Sequence, residues 1–417
     1  MAWSMLQGRM EALRLNLERA RDLSVEEPAL GHVLLGQGVW DAAFAAIRDD
    51  SVTRIEELDA LTARLDFADL ESGWAWQEFA QIQEQSEDVF LECLELMGGL
   101  AFRDRELDNE ICRFANELIN ECAGSIGRPL TTIVVPSHNG ALSTGLRRIA
   151  HVRFPEWDVW TLPIVAHEYG RLAIAEHEKL DEFARTVTNG LHGGLADSQT
   201  VELDAVEQRF RVLLADAFAT YTIGPAYACS LMLLRLDFVS PTPACREFAR
   251  QRVEMVSGIL DLIDEQGNIK NSLHNELSKY WNQAVESLPA PSPGALDPLQ
   301  SLAPNPETVF NKFKSRLLPT AVYSPEDWAT ATLWGLHWLR QIKAGTSPSV
   351  PQVEPRHRLR DALNASWYVR IRKPTWVTEG AEVTQELCQQ IIDVRGQGEG
   401  RTGLAVQSGT RPARGVR

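Results

Sequence analysis

The chain has 417 residues, of which 44% are hydrophobic and 24% are charged. This composition is typical of a globular protein, and it excludes wholesale disorder, collagen-like repeats and a small disulfide-stapled scaffold. The 41 basic and 57 acidic residues give a net charge of −16. An acidic surface repels phosphate backbones, so we expect no general binding to nucleic acid.

The length predicts two or three domains. In residues 5–22 the apolar side chains of Met10, Leu13 and Leu17 recur at intervals of three and four, which indicates an amphipathic helix. Similar patterns continue through residues 52–122. We therefore expect a helical N-terminal region over residues 1–125.

Strand patterns are few. The strongest is Thr131–Val135, a run rich in β-branched residues that stops at a turn sequence beginning with Pro136. A second extended segment is expected from Ile149 to Phe154. These segments predict a small β-sheet in an otherwise helical chain.

The C-terminal third contains a change in composition. Residues 288–306 are rich in proline and predict a semi-rigid linker. Residues 307–394 predict a helical C-terminal region that is rich in tryptophan. Residues 395–417 are rich in glycine and arginine without periodicity, and we expect a disordered tail there.

The sequence also indicates a compartment. The six cysteines form no C-x-x-C pair and mostly lie in apolar helical patterns, which favours buried thiols in a reducing environment. The N-terminus has charges throughout and does not resemble a secretory signal. The most apolar stretch, Leu213–Leu236, contains Asp216, Pro225 and Arg235, so it predicts buried core and not a membrane span. We expect a soluble, cytoplasmic protein that does not bind membranes.

One segment, Leu162–Leu236, carries a pattern with chemical content. It places His167 and Glu168 side by side within an apolar helical stretch. In zinc peptidases with an H-E-x-x-H helix, the two histidines hold the metal and the glutamate is the general base for the zinc-bound water. Here the fifth position of the pattern is Arg171.

A second half-motif follows at residues 212–219, which read V-L-L-A-D-A-F-A. Together the two half-motifs resemble the gluzincin metallopeptidases, especially the CAAX prenyl protease and HtpX type, in which an E-x-x-A-D helix supplies the third zinc ligand. The resemblance covers residues 150–236 and implies a metallopeptidase-like domain over residues 126–287. It implies that His167 is a metal ligand, that Glu168 is the catalytic base and that Asp216 orients a ligand imidazole.

The chain departs from that family at two ligand positions. Arg171 stands at the place of the second histidine, and Val212 stands at the place of the glutamate. A guanidinium is always protonated and cannot bind zinc, so only His167 remains of three protein ligands. We expect Arg171 to enter the vacated space and pair with Glu168 or Asp216, because a buried carboxylate without a partner is costly.

The preferred interpretation is a mainly α protein, with helical bundle-like regions around a gluzincin-like metallopeptidase domain that has a small β-sheet. Its metal site is degenerate, so we expect no cofactor and a non-catalytic module that binds or scaffolds a protein or peptide partner. An alternative is an active zinc peptidase with an atypical ligand set, His167, His192 and a carboxylate, and with Glu168 as base. In this alternative His192 comes from a glycine-rich loop predicted at residues 189–194. A third possibility is a structural subunit that carries the motif by chance, in which case His167 and Asp216 would lie far apart.

Overall fold

The chain folds mainly into α-helices. A computed structural model describes residues 2–23, 37–65, 73–104, 110–124, 126, 133–137, 149–153, 158–193, 203–236, 243–264, 267–269, 273–286 and 304–399.

Fourteen α-helices lie within these residues. In chain order they are α1 (Ala2–Leu23), α2 (Gln37–Arg64), α3 (Trp74–Asp104), α4 (Ile111–Ala123), α5 (Ile164–Glu176), α6 (Glu178–Gly193), α7 (Leu203–Ile223), α8 (Pro225–Ser230), α9 (Pro243–Ile263), α10 (Asn275–Glu286), α11 (Pro306–Arg316), α12 (Pro325–Lys343), α13 (Leu359–Arg372) and α14 (Thr378–Glu399). A π-helical turn, Leu231–Arg235, extends α8, and a 3₁₀ turn, Pro319–Ala321, precedes α12.

Two short strands precede α5. β1 (Ile133–Ser137) and β2 (Ile149–Arg153) pair in parallel, with Ile133 opposite Ile149 and Ser137 opposite Arg153. They overlap the two segments in which the sequence predicted extended structure. Within the described residues the β-structure goes no further than this pair, so the expected small sheet of a gluzincin-like domain is reduced to two strands.

Two cores of buried apolar side chains lie within the described residues. The first lies between α1, α2 and α3 and includes Leu17, Leu58 and Phe79. The second includes apolar residues from every helix from α4 to α14, between Ile111 and Ile391. α4, which the sequence assigned to the N-terminal region, contributes to the second core. The regions on the two sides of the predicted linker contribute to one core.

The physical reason for this contribution is that α4 is strongly amphipathic. It buries Phe114, Leu118 and Ile119 in the second core, so it needs the C-terminal helices as cover. Most of the predicted linker, residues 288–303, lies outside the described residues.

The prediction of a disordered tail from residue 395 places its start too early. α14 continues to Glu399, and Arg395 on its last turns donates to the buried carboxylate of Glu121 at 2.7 Å. This ion pair attaches the end of α14 to α4. Residues 400–417 lie outside the described residues.

The apolar stretch that follows residue 213 is part of the second core, where Phe218, Tyr227 and Met232 are buried. None of the helices that the structure describes combines the length and the apolar character that crossing a bilayer requires. The cysteines whose side chains are described are buried thiols: Cys93, Cys112, Cys122, Cys229 and Cys388.

Helices α5 and α7 approach each other closely at Gly170. A Cβ atom at this position would lie 2.9 Å from Cδ1 of Phe218 and 3.4 Å from the carbonyl oxygen of Ala215. Glycine is thus required for the close packing of the two helices that carry the half-motifs.

Replacement of Gly170 by valine should destabilise the protein by about 1–3 kcal/mol, because the added side chain forces α5 and α7 apart. Gly396→Val is the matched control, since Gly396 lies on α14 and a Cβ atom added there would meet nothing within 4 Å. Urea denaturation followed by circular dichroism measures both variants. Equal midpoints for the two variants would contradict the packing argument.

A buried carboxylate lies at the N-terminus of α13. Asp361 accepts a hydrogen bond from the backbone N–H of Arg358 at 2.9 Å and is almost inaccessible to solvent. Burial, and next the negative charge of Asp327, raise the pKa of Asp361 from 3.8 to about 7. The folded protein therefore retains a proton on Asp361 at pH values where the unfolded chain has lost it.

This difference predicts that the free energy of unfolding decreases as the pH rises from about 4 to about 7, by at most about 1.4 kcal/mol per pH unit from Asp361. The sign follows because the folded state binds more protons than the unfolded state in this interval. Asp361→Asn removes the titration and should flatten the profile, as measured by urea denaturation at pH 4.5, 6 and 7.5. Parallel profiles for the wild type and the variant would show that Asp361 does not contribute.

Candidate functional site

The two half-motifs meet at the interface of α5 and α7. His167 on α5 lies with its Nδ1 atom 2.9 Å from Oδ1 of Asp216 on α7. The His167 side chain is 8% exposed and the Asp216 side chain is completely buried. The structure therefore brings together the histidine and the aspartate that the resemblance singled out.

Asp216 has two further partners, from two other helices. Arg252 on α9 binds it with two hydrogen bonds, from Nε to Oδ2 and from Nη2 to Oδ1, both at 2.7 Å. Tyr227 on α8 donates its hydroxyl proton to Oδ1. One buried carboxylate thus joins α5, α7, α8 and α9.

The electrostatics keep this carboxylate ionised. Burial alone would raise the pKa of Asp216, but the Arg252 guanidinium, and next His167, hold this pKa well below its ordinary value of 3.8. Burial and the charge of Asp216 raise the pKa of Tyr227 well above 10, so its hydroxyl stays a donor. The result is a permanently charged buried ion pair.

The contact with Asp216 also fixes the orientation of the His167 imidazole. Because Oδ1 of Asp216 is an acceptor, the proton of neutral His167 is assigned to Nδ1. Within the described residues Nε2 has no hydrogen-bond partner, and the side chain as a whole is 8% exposed. The site therefore presents one oriented ring nitrogen, Nε2, on the side of the imidazole away from Asp216.

Arg171 does not enter this cluster. Its Nη1 lies 3.4 Å from Oε2 of Glu168, one turn away on α5, and its side chain is 52% exposed while that of Glu168 is 20% exposed. Of the two expected pairings the structure shows the one with Glu168, at the surface. The expectation that Arg171 occupies the place of a metal beside His167 is wrong, because the guanidinium extends to water and Arg252 supplies the buried cation.

Neither Val212 nor the described part of His192 supplies a donor to the cluster around Asp216. Val212 lies half-buried on α7, one turn before Asp216, and has no polar atom in its side chain. The backbone of His192 lies in the last turn of α6, and not in the loop predicted at residues 189–194, because the helix continues through Gly190. The side chain of His192 lies outside what the structure describes.

The described residues at the family's ligand positions do not fit a zinc ion. Zinc requires three or four nitrogen, sulfur or oxygen donors, whereas these positions offer an imidazole, a guanidinium and an isopropyl group. Among the described residues no group of three or more His, Cys, Asp or Glu side chains is arranged to hold a metal.

Sequence reasoning missed two members of the cluster. Tyr227 and Arg252 belong to neither half-motif. A signal for Arg252 exists, since it lies three residues after Ala249 and four before Val256, both of which are buried on the apolar face of α9. A cation on such a face needs a buried anion, and Asp216 is the anion that α7 supplies.

No family model, no curated protein and no solved structure matches this chain. The resemblance to the gluzincins therefore rests on the residues of the two half-motifs.

Loss of Arg252 should destabilise the protein strongly, because it leaves Asp216 as a buried carboxylate without its counter-ion. For Arg252→Leu we expect a decrease of about 3–5 kcal/mol in the free energy of unfolding. Tyr227→Phe removes one hydrogen bond to a charged group and should cost about 1.5–3 kcal/mol. Urea denaturation at neutral pH measures both effects.

Arg250→Leu is the matched control for this prediction. Arg250 precedes Arg252 by two residues on α9 but pairs with Glu247 and Glu254 on the exposed side of the helix. Its loss should cost less than about 1 kcal/mol. If Arg252→Leu were no more harmful than Arg250→Leu, the ion pair with Asp216 would not be what stabilises the cluster.

Proposed function

We propose that this chain is a metallopeptidase-like protein with a degenerate metal site, and that it acts by binding a protein or peptide partner. The observation that carries the proposal is the contact of His167 Nδ1 with Asp216 Oδ1 at 2.9 Å, combined with Arg171 and Val212 at the other two ligand positions. The contact is the one that the resemblance implies for these residues. The two substitutions remove the remaining zinc donors.

The relationship to a metallopeptidase is supported by the orientation of His167. A carboxylate that accepts from one ring nitrogen of a histidine is the usual means of directing the other nitrogen at a metal. In this chain Asp216 occupies Nδ1 and leaves Nε2 without a partner among the described residues. A chance resemblance of two helices would not require their motif residues to meet at hydrogen-bond distance.

The loss of metal-dependent chemistry is supported by Arg171 and Val212 at two ligand positions, and Asp216 has a partner that needs no metal. Arg252 supplies a cation that is always charged, and both of its hydrogen bonds are made to the carboxylate. We infer that the cluster stabilises the meeting point of four helices, and that the surface beside it, with Glu168 and Arg171, is available for contact with a partner.

The zinc content of purified, tag-free protein tests the proposal. Elemental analysis should find no more than traces of zinc in the wild type and about one equivalent per chain in Arg171→His/Val212→Glu, which restores the ligand set of the family. The matched control is the same double variant with His167→Ala, which should lose the metal. Circular dichroism establishes that all three proteins are folded.

Two results would overturn the proposal. Stoichiometric zinc in the wild type, lost on His167→Ala, would favour an active zinc peptidase with Glu168 as general base and His192 as a candidate ligand. A folded double variant that takes up no zinc would show that the resemblance is due to chance.

A further inference from the structure

A second polar cluster lies around Trp160, four residues before α5. The Trp160 ring packs edge-on against Trp367 of α13, with ring centroids 5.4 Å apart, and against Trp376, with centroids 6.2 Å apart. The hydroxyl of Ser230 on α8 donates to the carbonyl oxygen of Trp160 at 2.6 Å. The tryptophan is thus held between α8, α13 and the start of α14.

Arg370 lies in the corner between two of these rings. Its guanidinium carbon is 4.4 Å from the centroid of Trp160 and 4.8 Å from that of Trp367. Cation–π contacts of this kind satisfy the faces of the guanidinium but leave its in-plane N–H groups available. Nη1 of Arg370 is buried and has no hydrogen-bond partner within the described part of the chain.

Arg370 also differs from other sheltered arginines in its charge environment. Three arginines each contact a carboxylate at 2.7 Å, in the pairs Arg252–Asp216, Arg360–Asp327 and Arg395–Glu121. No described carboxylate lies within ion-pairing distance of Arg370. Burial lowers the pKa of Arg370, and the more distant charge of Asp158 compensates for only part of that effect.

Asp158 is itself engaged elsewhere. Its Oδ1 accepts from the backbone N–H groups of Trp160 and Thr161, both at 3.0 Å, and from the Thr161 hydroxyl at 3.3 Å. Its role is to cap the turn that leads into α5. The guanidinium therefore lacks a close counter-ion among the described residues.

The neighbouring indoles add further donors. Nε1 of Trp367 and Nε1 of Trp376 are buried without an acceptor among the described residues. By contrast, Nε1 of Trp160 donates to the carbonyl oxygen of Val377, and Nε1 of Trp338 donates to that of Ser349. Buried donors are nearly always paired, so the unpaired Nε1 of Trp367, a ring that contacts the Arg370 guanidinium, indicates a missing ligand.

We propose that the cluster of Trp160, Trp367, Arg370 and Trp376 binds a small oxyanion, a carboxylate or phosphate group of a ligand. The guanidinium supplies the charge and the planar donors that match such groups, and the indole N–H groups supply neutral donors. Nη1 of Arg370 and the Nε1 atoms of Trp367 and Trp376 are buried, which strengthens hydrogen bonds made to them. The inference is independent of the proposed function, because none of these four residues belongs to the His167 cluster.

Titration of the full chain with sodium acetate and, separately, with sodium phosphate tests the inference. Sodium chloride keeps the ionic strength constant, and intrinsic tryptophan fluorescence and the midpoint of thermal unfolding are the readouts. We expect a saturable change with at least one anion. Arg370→Gln should weaken binding at least tenfold, and Trp367→Phe, which removes one donor but keeps the aromatic ring, should weaken it severalfold.

Arg316→Gln is the matched control, because it removes the same charge from an exposed position at the end of α11. Its affinity should equal that of the wild type. Saturation with acetate alone assigns a carboxylate ligand, and saturation with phosphate alone or with both assigns a site that also takes phosphate groups.

The inference fails if the wild type shows no saturable response to either anion, which would mean that water satisfies the donors. It also fails if Arg370→Gln binds as tightly as the wild type. Should Arg370→Gln not fold, the double variant Trp367→Phe/Trp376→Phe provides the same test with the arginine present, and an unchanged affinity for the anion would overturn the inference.

Discussion

The carboxylate of Asp216 is completely buried, so hydrogen-bond donors of the protein must take the place of water around it. Arg252, Tyr227 and His167 meet it from three different helices. Each of those helices must therefore reach the same point of α7. The close packing of α5 on α7 at Gly170 is what brings His167 within reach of the carboxylate. The positions of four helices thus depend on one buried ion pair and its hydrogen bonds.

Under the proposed function, this arrangement would keep the structure of a peptidase-like site in the absence of a metal. A metal ion and a guanidinium both neutralise buried negative charge, but they do so with different consequences. A metal can exchange a ligand for water and activate it, whereas Arg252 makes fixed, directional bonds that use both oxygens of Asp216. Under the proposed function, Asp216 passes from orienting a metal ligand to anchoring helices, and His167 keeps its orientation without the donors that zinc requires.

The second core extends this principle to the C-terminal helices. The buried carboxylate of Glu121 on α4 accepts from the backbone N–H of Leu359 at 2.8 Å and pairs with Arg395 on α14. Arg360 reaches the carbonyl oxygen of Thr222 at the end of α7. These contacts explain why residues beyond the predicted linker belong to the same core as the helices before it. Arg370 differs from the arginines in these contacts, because no carboxylate lies close to it within the described residues.

The sequence by itself determined the helical character of the chain, the approximate places of β1 and β2, and the two half-motifs that carry His167 and Asp216. These features are local, because a helix or a strand imposes its period on consecutive residues. Which apolar faces meet is not local, so the packing of α4 with the C-terminal helices and the length of α14 could not be predicted. The same limit hid Arg252, Tyr227 and Arg370 from sequence reasoning. A charged or aromatic residue on a helix acquires its partner only when another helix arrives beside it, and the tertiary structure alone decided that Asp216 pairs with Arg252 and that Arg171 stays at the surface.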